Sequence, residues 1–257
     1  MVVIAGIDLA WSGRKPTGVC LLEVEGLSSR VVDISVTPPE TDAEGVLHLL
    51  AALGPDVVAG IDAPLIVGPN RRAEAELARA YGRFGVFAFA ARTDFNDGHS
   101  IGEGPRFGAL LAASGWDLSP EGIAAEAPGR RALEVFPHAT AVSLLGAAFA
   151  LKYKKGPLAA RLGPLNQLRT LLRDYAVEQL PCLVDPAAGG LLTESIALGG
   201  GAALKATEDR LDAVACALAA HHAWRHGSEG LTTFGNAAEG YIAVPRPVTS
   251  SPEPSCP

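Results

Sequence analysis

Two short strings constrain this chain more than any other feature. Residues 2–8 read VVIAGID and residues 57–62 read VVAGID. Each is apolar and rich in β-branched residues up to its last position, the composition of a strand buried on both faces. A fold that holds both must bury them in a sheet and must also account for the acid that ends each one. Between them, Gly18 to Val24 and Arg30 to Val36 read as two further strands. They are joined by Glu25-Gly26-Leu27-Ser28, a connection of hairpin length. Three strands in such close succession predict an antiparallel meander. Pro38-Pro39 then breaks the chain, and Thr41 is expected to cap a helix from about Asp42 to Leu53, with Val46, Leu47, Leu50 and Leu53 at helical spacing. Meander, helix and second apolar strand together predict a mixed sheet with one crossover.

The remaining chain is less regular. Arg71 to Tyr81 reads as a helix. Residues from about 82 to 129 are rich in Gly, Phe and Ala without clear period and read as a long insertion, or a cap over the site. Ala132 to Phe136 reads as a fifth strand, and Pro137 as the first residue of a helix reaching about Ala150. Leu165 to Leu180 is amphipathic, and a last helix is expected from Glu208 to His226, stopped by Gly227. One domain over residues 1–244, with a disordered tail over 245–257, is the expected organisation.

Composition excludes several classes. With 48% hydrophobic residues and a net charge of −7, most of the 257 residues are expected to fold around a full core. The opening residues lack a basic segment and carry Asp8 in their apolar run, unlike a signal peptide, and no stretch reads as a membrane span. Cys20, Cys182, Cys216 and Cys256 share no short spacing, against a zinc motif or a disulfide framework. The expectation is a soluble cytoplasmic protein. Its charge is segregated: residues 130–173 carry eight Lys and Arg against Glu134 alone. Such a segment predicts either a local anion-attracting surface or solvated helix backs.

The acids carry the chemistry. Asp8 and Asp62 end buried strands, Glu134 lies inside ALEVF, and Asp209 and Asp212 fall on the last helix. One acid at a strand end is usually a turn or cap, but three on three strands are costly to bury without cations. No Cys or His accompanies them in these strings, so the oxygen-only set favours Mg²⁺ or Mn²⁺.

The strings GIDLAW (Gly6 to Trp11), GIDAPL (Gly60 to Leu65), LEVFPHA (Leu133 to Ala139), LKYKKG (Leu151 to Gly156), DRLDAVACAL (Asp209 to Leu218) and EGYIAVP (Glu239 to Pro245) occur in that order. In this the chain resembles the predicted nuclease family of ribonuclease H-like fold, a domain of unknown function, over residues 6 to 245. The resemblance implies an α/β fold with an antiparallel three-strand meander, parallel strands and flanking helices. It implies a metal-dependent phosphodiester hydrolase acting on nucleic acid or a nucleotide, with two Mg²⁺ about 4 Å apart. Asp8, Asp62, Glu134 and, on the last helix, Asp212 or Asp209 would be the catalytic metal ligands. The small residues Ala215, Cys216 and Ala219 beneath Asp212 favour it and leave Asp209 as an outer-sphere or capping residue, or the ligand in its place. Two other classes remain open. An actin-like phosphotransferase would use GIDLAWSG and LGGGA (Leu198 to Ala202) around ATP, although GIDAPL lacks the glycines of a second phosphate loop. A non-catalytic nucleic-acid or protein-binding module would have no use for the acids.

Further candidates have bland readings of equal or greater weight. Lys152, Lys154 and Lys155 would grip phosphate and Tyr153 would stack on a base, or the four form a solvated turn. His138 would orient water or phosphate, or simply open a helix. Arg71 and Arg72 would reach the site, or begin a solvated helix. His222 and His226 have the spacing of a metal pair but no third ligand. Cys216, between alanines, reads as packing.

Overall fold

The structure is a computed structural model that describes residues 1–10, 15–26, 28–39, 41–91, 102–121, 123–185 and 189–247. The first three strands are β1 (Val2–Asp8), β2 (Gly18–Glu25) and β3 (Ser28–Val36), an antiparallel meander in which Val2 pairs with Val24 and Asp8 with Gly18. Helix α1 (Ala43–Ala51) crosses over to β4 (Val57–Ile61), parallel to β1, and β5 (Arg130–Glu134) adds in parallel beyond it. The five-stranded mixed sheet therefore runs β3-β2-β1-β4-β5. The cap of α1 is Asp42 rather than Thr41. Its carboxylate accepts from the Gly45 N–H at 3.1 Å, and a carboxylate there also opposes the helix dipole.

Helices cover both faces. On one side α1 and α3 (Glu103–Ala113) pack on Val3, Ala5, Ile7, Ala59 and Ile61. On the other lie α4 (Pro137–Ser143), α5 (Leu158–Gln179) and α6 (Gly201–His226). Helix α2 (Ala73–Tyr81) packs on a closing hairpin, β6 (Leu231–Asn236) and β7 (Gly240–Pro245). Among the described residues no helix is long and apolar enough to cross a membrane.

Several boundaries differ from the sequence reading, each for a local reason. Residues 102–118 are no cap: Phe107, Leu111 and Trp116 are core, and Gly104 and Gly108 lie against the backbone of Pro64 and Leu65. Residues 92–101 of that stretch fall outside the described residues. Helix α5 begins at Leu158 and passes through Pro164, because Gly163 has no Cβ to clash with the proline ring. Helix α4 stops at Ser143, well short of Ala150, and Gly146 follows with φ of 75°. Helix α6 starts at Gly201, seven residues before Glu208. Strand β7 runs through Pro245, and the Arg246 N–H donates to the Gly230 carbonyl at 2.7 Å, so the chain is ordered past the expected start of the tail. Residues 248–257 lie outside the described ones.

Candidate functional site

The repeated strings lie side by side in exact echo. Ala5 pairs with Ala59, Gly6 with Gly60 and Ile7 with Ile61. Side chains alternate across a strand, so Gly6 and Gly60 face α6 while Ile7 and Ile61 face α1 and α3. Asp8 and Asp62 lie two residues beyond the glycines and emerge on the α6 side. The glycines bring α6 down onto the sheet. A Cβ at Gly6 would stand 1.9 Å from the Ala213 carbonyl oxygen, and one at Gly60 2.4 Å from that of Cys216. Gly18 on β2 touches Asp209 in the same way. This close approach, with Ala213, Ala215, Cys216 and Ala217 beneath it, carries the fully buried Asp212 to the ends of β1 and β4.

A lysine sits among these carboxylates. Lys154 Nζ lies 2.9 Å from Asp212 Oδ2 and 3.6 Å from Asp62 Oδ2. The Tyr153 hydroxyl donates to Asp212 Oδ1 at 2.6 Å. Burial pushes the Asp8 carboxyl well above its usual range; Lys154 pulls it down, and Asp212 and Asp62 push it further up. Burial likewise raises Asp62 to about 6 against the pull of Lys154. Burial would lower the Lys154 ammonium, but Asp212, Asp62 and Asp8 together hold it well above its ordinary value. The group therefore carries more potential negative charge than its one central cation neutralises.

A second ionic knot borders it. Lys205 Nζ bridges Asp209 Oδ1 at 2.5 Å and Glu208 Oε1 at 2.7 Å, and Arg161 pairs with Glu208 while its Nε donates to the Tyr153 carbonyl at 2.5 Å. Asp209 is thus committed to a lysine. With α6 beginning at Gly201, it lies beyond the first turn and caps nothing. Tyr153 is no stacking platform, because it is buried and holds Asp212 in place. Arg161 stood out in the sequence only as one of the eight basic residues of 130–173, and Lys205 not at all, although it precedes Glu208 and Asp209 at the three- and four-residue spacing of helix ion pairs.

Glu134 does not join the aspartates. It is opposite Ile61 in the β4–β5 register, one residue out of step with Asp62, and so starts from the other face of the sheet. Its Oε1 accepts from Arg71 Nη2 at 2.5 Å, and its Oε2 accepts from Arg71 Nη1 at 3.0 Å and the Leu65 N–H at 3.1 Å. Asp62 and Glu134 border a common cavity of about 50 Å³, but the carboxylate oxygens of Glu134 are spoken for. Burial pushes Glu134 up to about 7 despite that pairing. Arg71, which also binds Glu74 at 2.8 Å and is 1% exposed, is structural and out of reach of a substrate. Arg72 is an exposed partner of Glu76.

Other candidates separate similarly. Lys154 is engaged by the aspartates, whereas Lys152 and Lys155 are exposed beside a cleft of about 500 Å³. His138 borders that cleft, with its ring 5.0 Å from Tyr153; burial and then Lys154 lower it to about 4, so it is neutral. The basic segment forms no single anion surface: Arg130, Arg131 and Arg169 bind backbone carbonyls, and Arg173 binds Asp174. His222 Nε2 lies 2.9 Å from the Arg246 carbonyl and its ring packs on His226, a structural pairing. Cys216 is buried packing, as expected. Of GIDLAWSG, residues 11–13 lie outside the described ones, and LGGGA forms the approach to α6 and its first turn. Among the described residues no group of three or more His, Cys, Asp or Glu is arranged, as it stands, to hold a metal ion.

A family model described as "Protein of unknown function (DUF429)" matches residues 6–238. No curated protein and no solved structure matches the chain.

Proposed function

The chain belongs to this family of unknown function, and we propose that it is a divalent-metal-dependent phosphodiester hydrolase of ribonuclease H-like fold, acting on nucleic acid or a nucleotide. The observation that carries this reading is the meeting of Asp8, Asp62 and Asp212 around Lys154 at the carboxyl ends of β1 and β4. An antiparallel meander extended by two parallel strands supports the fold assignment. Ligands of open α/β sheets characteristically bind at the carboxyl ends of the strands.

The donor set suits a hard cation. It consists of carboxylate oxygens alone, and Asp212 Oδ2 is buried with only the Lys154 ammonium against it. Asp8, Asp62 and Asp212 would hold the ion once Lys154 withdraws from between them; Glu134 is not needed. When bound, the ion supplies charge neutralisation at phosphorus and a water of lowered pKa. The chain's own contribution is orientation. The Tyr153 hydroxyl fixes one oxygen of Asp212, and Arg161 anchors Tyr153 through its backbone carbonyl. Lys205 keeps Asp209 out of the cluster. His138, neutral and beside the cleft, is lowered by burial to about 4 and so is a weak base; its part is to orient water or a phosphate oxygen by hydrogen bonding.

Thermal melts with and without Mn²⁺ test the reading. An ion present at a hundredfold excess over its Kd stabilises the folded state by about 2.7 kcal/mol. Asp8→Asn and Asp212→Asn should lose that shift, together with Mn²⁺-dependent cleavage of a labelled oligonucleotide. Equal shifts in wild type and both variants would remove the metal-cluster reading.

A further inference from the structure

The cleft beside the carboxylates has two unlike walls. One is the turn and strap after α2, with Val86 and the exposed side chains of Phe87 and Phe89. The other is the LKYKKG strap, with Lys152 and Lys155. Phe136 and His138 border it between them, and Asp62 borders it too. The walls are tied together by the Ala150 N–H, which donates to the Phe84 carbonyl at 2.8 Å. Phe87 is 65% exposed and Phe89 67%, so two phenyl rings stand together at the rim of the cleft. Lys152 and Lys155 are exposed and, among the described residues, make no ion pair, unlike Lys154 and Lys205. Aromatic face, unpaired ammonium groups and a volume of about 500 Å³ suit a planar base attached to phosphate.

We propose that this cleft is the binding groove for single-stranded nucleic acid, with a base on Phe87 and neighbouring phosphates on Lys152 and Lys155. The proposal rests on the phosphodiesterase reading of the carboxylates, and it specifies the substrate class. A duplex is disfavoured by the rest of the surface. The net charge is −7, and the arginines of residues 130–173 that would widen a basic face bind carbonyls or acids. A stacked base must also leave its own helix to lie on Phe87, which a single strand does at little cost. With two lysines on phosphate, the slope of log affinity against log salt should be shallow, about −1.4, rather than the steep dependence a broad basic face would give.

The experiment is fluorescence anisotropy of an end-labelled oligothymidylate with the full chain in EDTA, where binding is read without hydrolysis. Raising salt from about 50 to about 200 mM should weaken wild-type binding roughly sevenfold. Phe87→Ala should weaken it about tenfold or more, and Phe87→Trp should preserve it. Lys152→Ala with Lys155→Ala should flatten the salt dependence. Melting curves of each variant confirm that these exposed positions leave the fold intact. Overturning results are no binding at low salt, unchanged binding in Phe87→Ala and in the lysine pair, or equal competition by duplex, thymidine monophosphate or polyglutamate. Asp212→Asn separates the two readings. It should abolish Mn²⁺-dependent cleavage and retain oligothymidylate binding, and binding that persists while no protein cleaves leaves the groove standing and sinks the hydrolase.

Discussion

At the scale of single residues, Asp62 ties stability to pH. Its folded carboxyl titrates near 6, chiefly through burial, against about 3.9 in an unfolded chain. Between those values the folded protein keeps a proton that the unfolded chain has lost, so stability falls as pH rises from about 4 to about 6 and stays lower above it. Ionising Asp62 therefore costs up to about 3 kcal/mol. Asp62→Asn should match wild type at pH near 4 and exceed it by up to that amount at pH above 7, in urea unfolding with EDTA present. A difference that does not change with pH would refute the linkage. The two helix acids should differ: Asp212→Asn should lose Mn²⁺ affinity by calorimetry, while Asp209→Asn should leave Lys205 paired with Glu208 and that affinity near wild type. The opposite ranking would reverse their roles. Asp8, Asp62 and Asp212 were legible as a set because acids at the ends of apolar runs, or on a stripe of small residues, have little other use. Glu134 was misread because a strand acid looks the same from either face of a sheet. Only the register with Ile61 shows which side it leaves from. Lys154 was read as a phosphate ligand because nothing local reveals that three carboxylates from distant segments have already claimed a lysine.

At the scale of elements, the contact between α6 and the sheet decides whether the site exists. Gly6, Gly18 and Gly60 leave no room for a Cβ, and what each would strike is backbone of α6 rather than the tip of a flexible side chain. Gly60→Ala should therefore cost on the order of 3 kcal/mol, at the upper end of overpacking effects. It should also weaken Mn²⁺ stabilisation more than the loss of stability alone requires, since it lifts Asp212 away from Asp62. Ala220→Gly in α6 is the control: it removes only the methyl that a Cβ at Gly60 would approach at 3.3 Å and leaves the Cys216 carbonyl, so the double variant should be no more stable than Gly60→Ala. Substantial rescue would mean that the strain is at the Ala220 methyl rather than at the backbone of α6. The strands and the meander were readable because β-branched runs and hairpin-length breaks are local signals; that the two GID strings pair in register is seen only in the structure. Helix α3 was not. Its apolar face answers to α1 and to Pro64 and Leu65, partners far away in sequence, and its glycines, which look like loop residues, are there for close packing.

At the scale of the whole molecule, the physical unit is longer than the family match. That match ends at residue 238, in the turn between β6 and β7, yet β7 is buried along its whole length. Tyr241 and Ala243 pack with Leu133 and Val135 beside α6, while Ile242 and Val244 pack with Ala73 and Leu77 of α2. Val135 and Ala243 form a parallel bridge that joins the hairpin to the chain just after β5. Asp117 already bonds the start of the β5 edge; the hairpin closes the sheet just beyond the end of β5, and it holds α2, the helix behind Phe87. Burying side chains of this size contributes about 1.5–3 kcal/mol each, so β7 with Leu231 and Phe234 of β6 contributes on the order of 10 kcal/mol. That is comparable to the entire stability of an ordinary domain, about 5–15 kcal/mol. A chain ended at Gly230 should therefore lose cooperative thermal unfolding and bind neither Mn²⁺ nor oligothymidylate, although every proposed metal ligand and both groove lysines remain in it. Tyr241→Ala, a milder lesion at the same seam, should stay folded at low temperature and melt earlier, with about 3–5 kcal/mol lost. A Gly230-terminated chain that melts cooperatively near the full-length temperature would show that the sheet and the helices packed on it stand without the hairpin. The cover that Asp117 gives the start of β5 would then suffice for its edge.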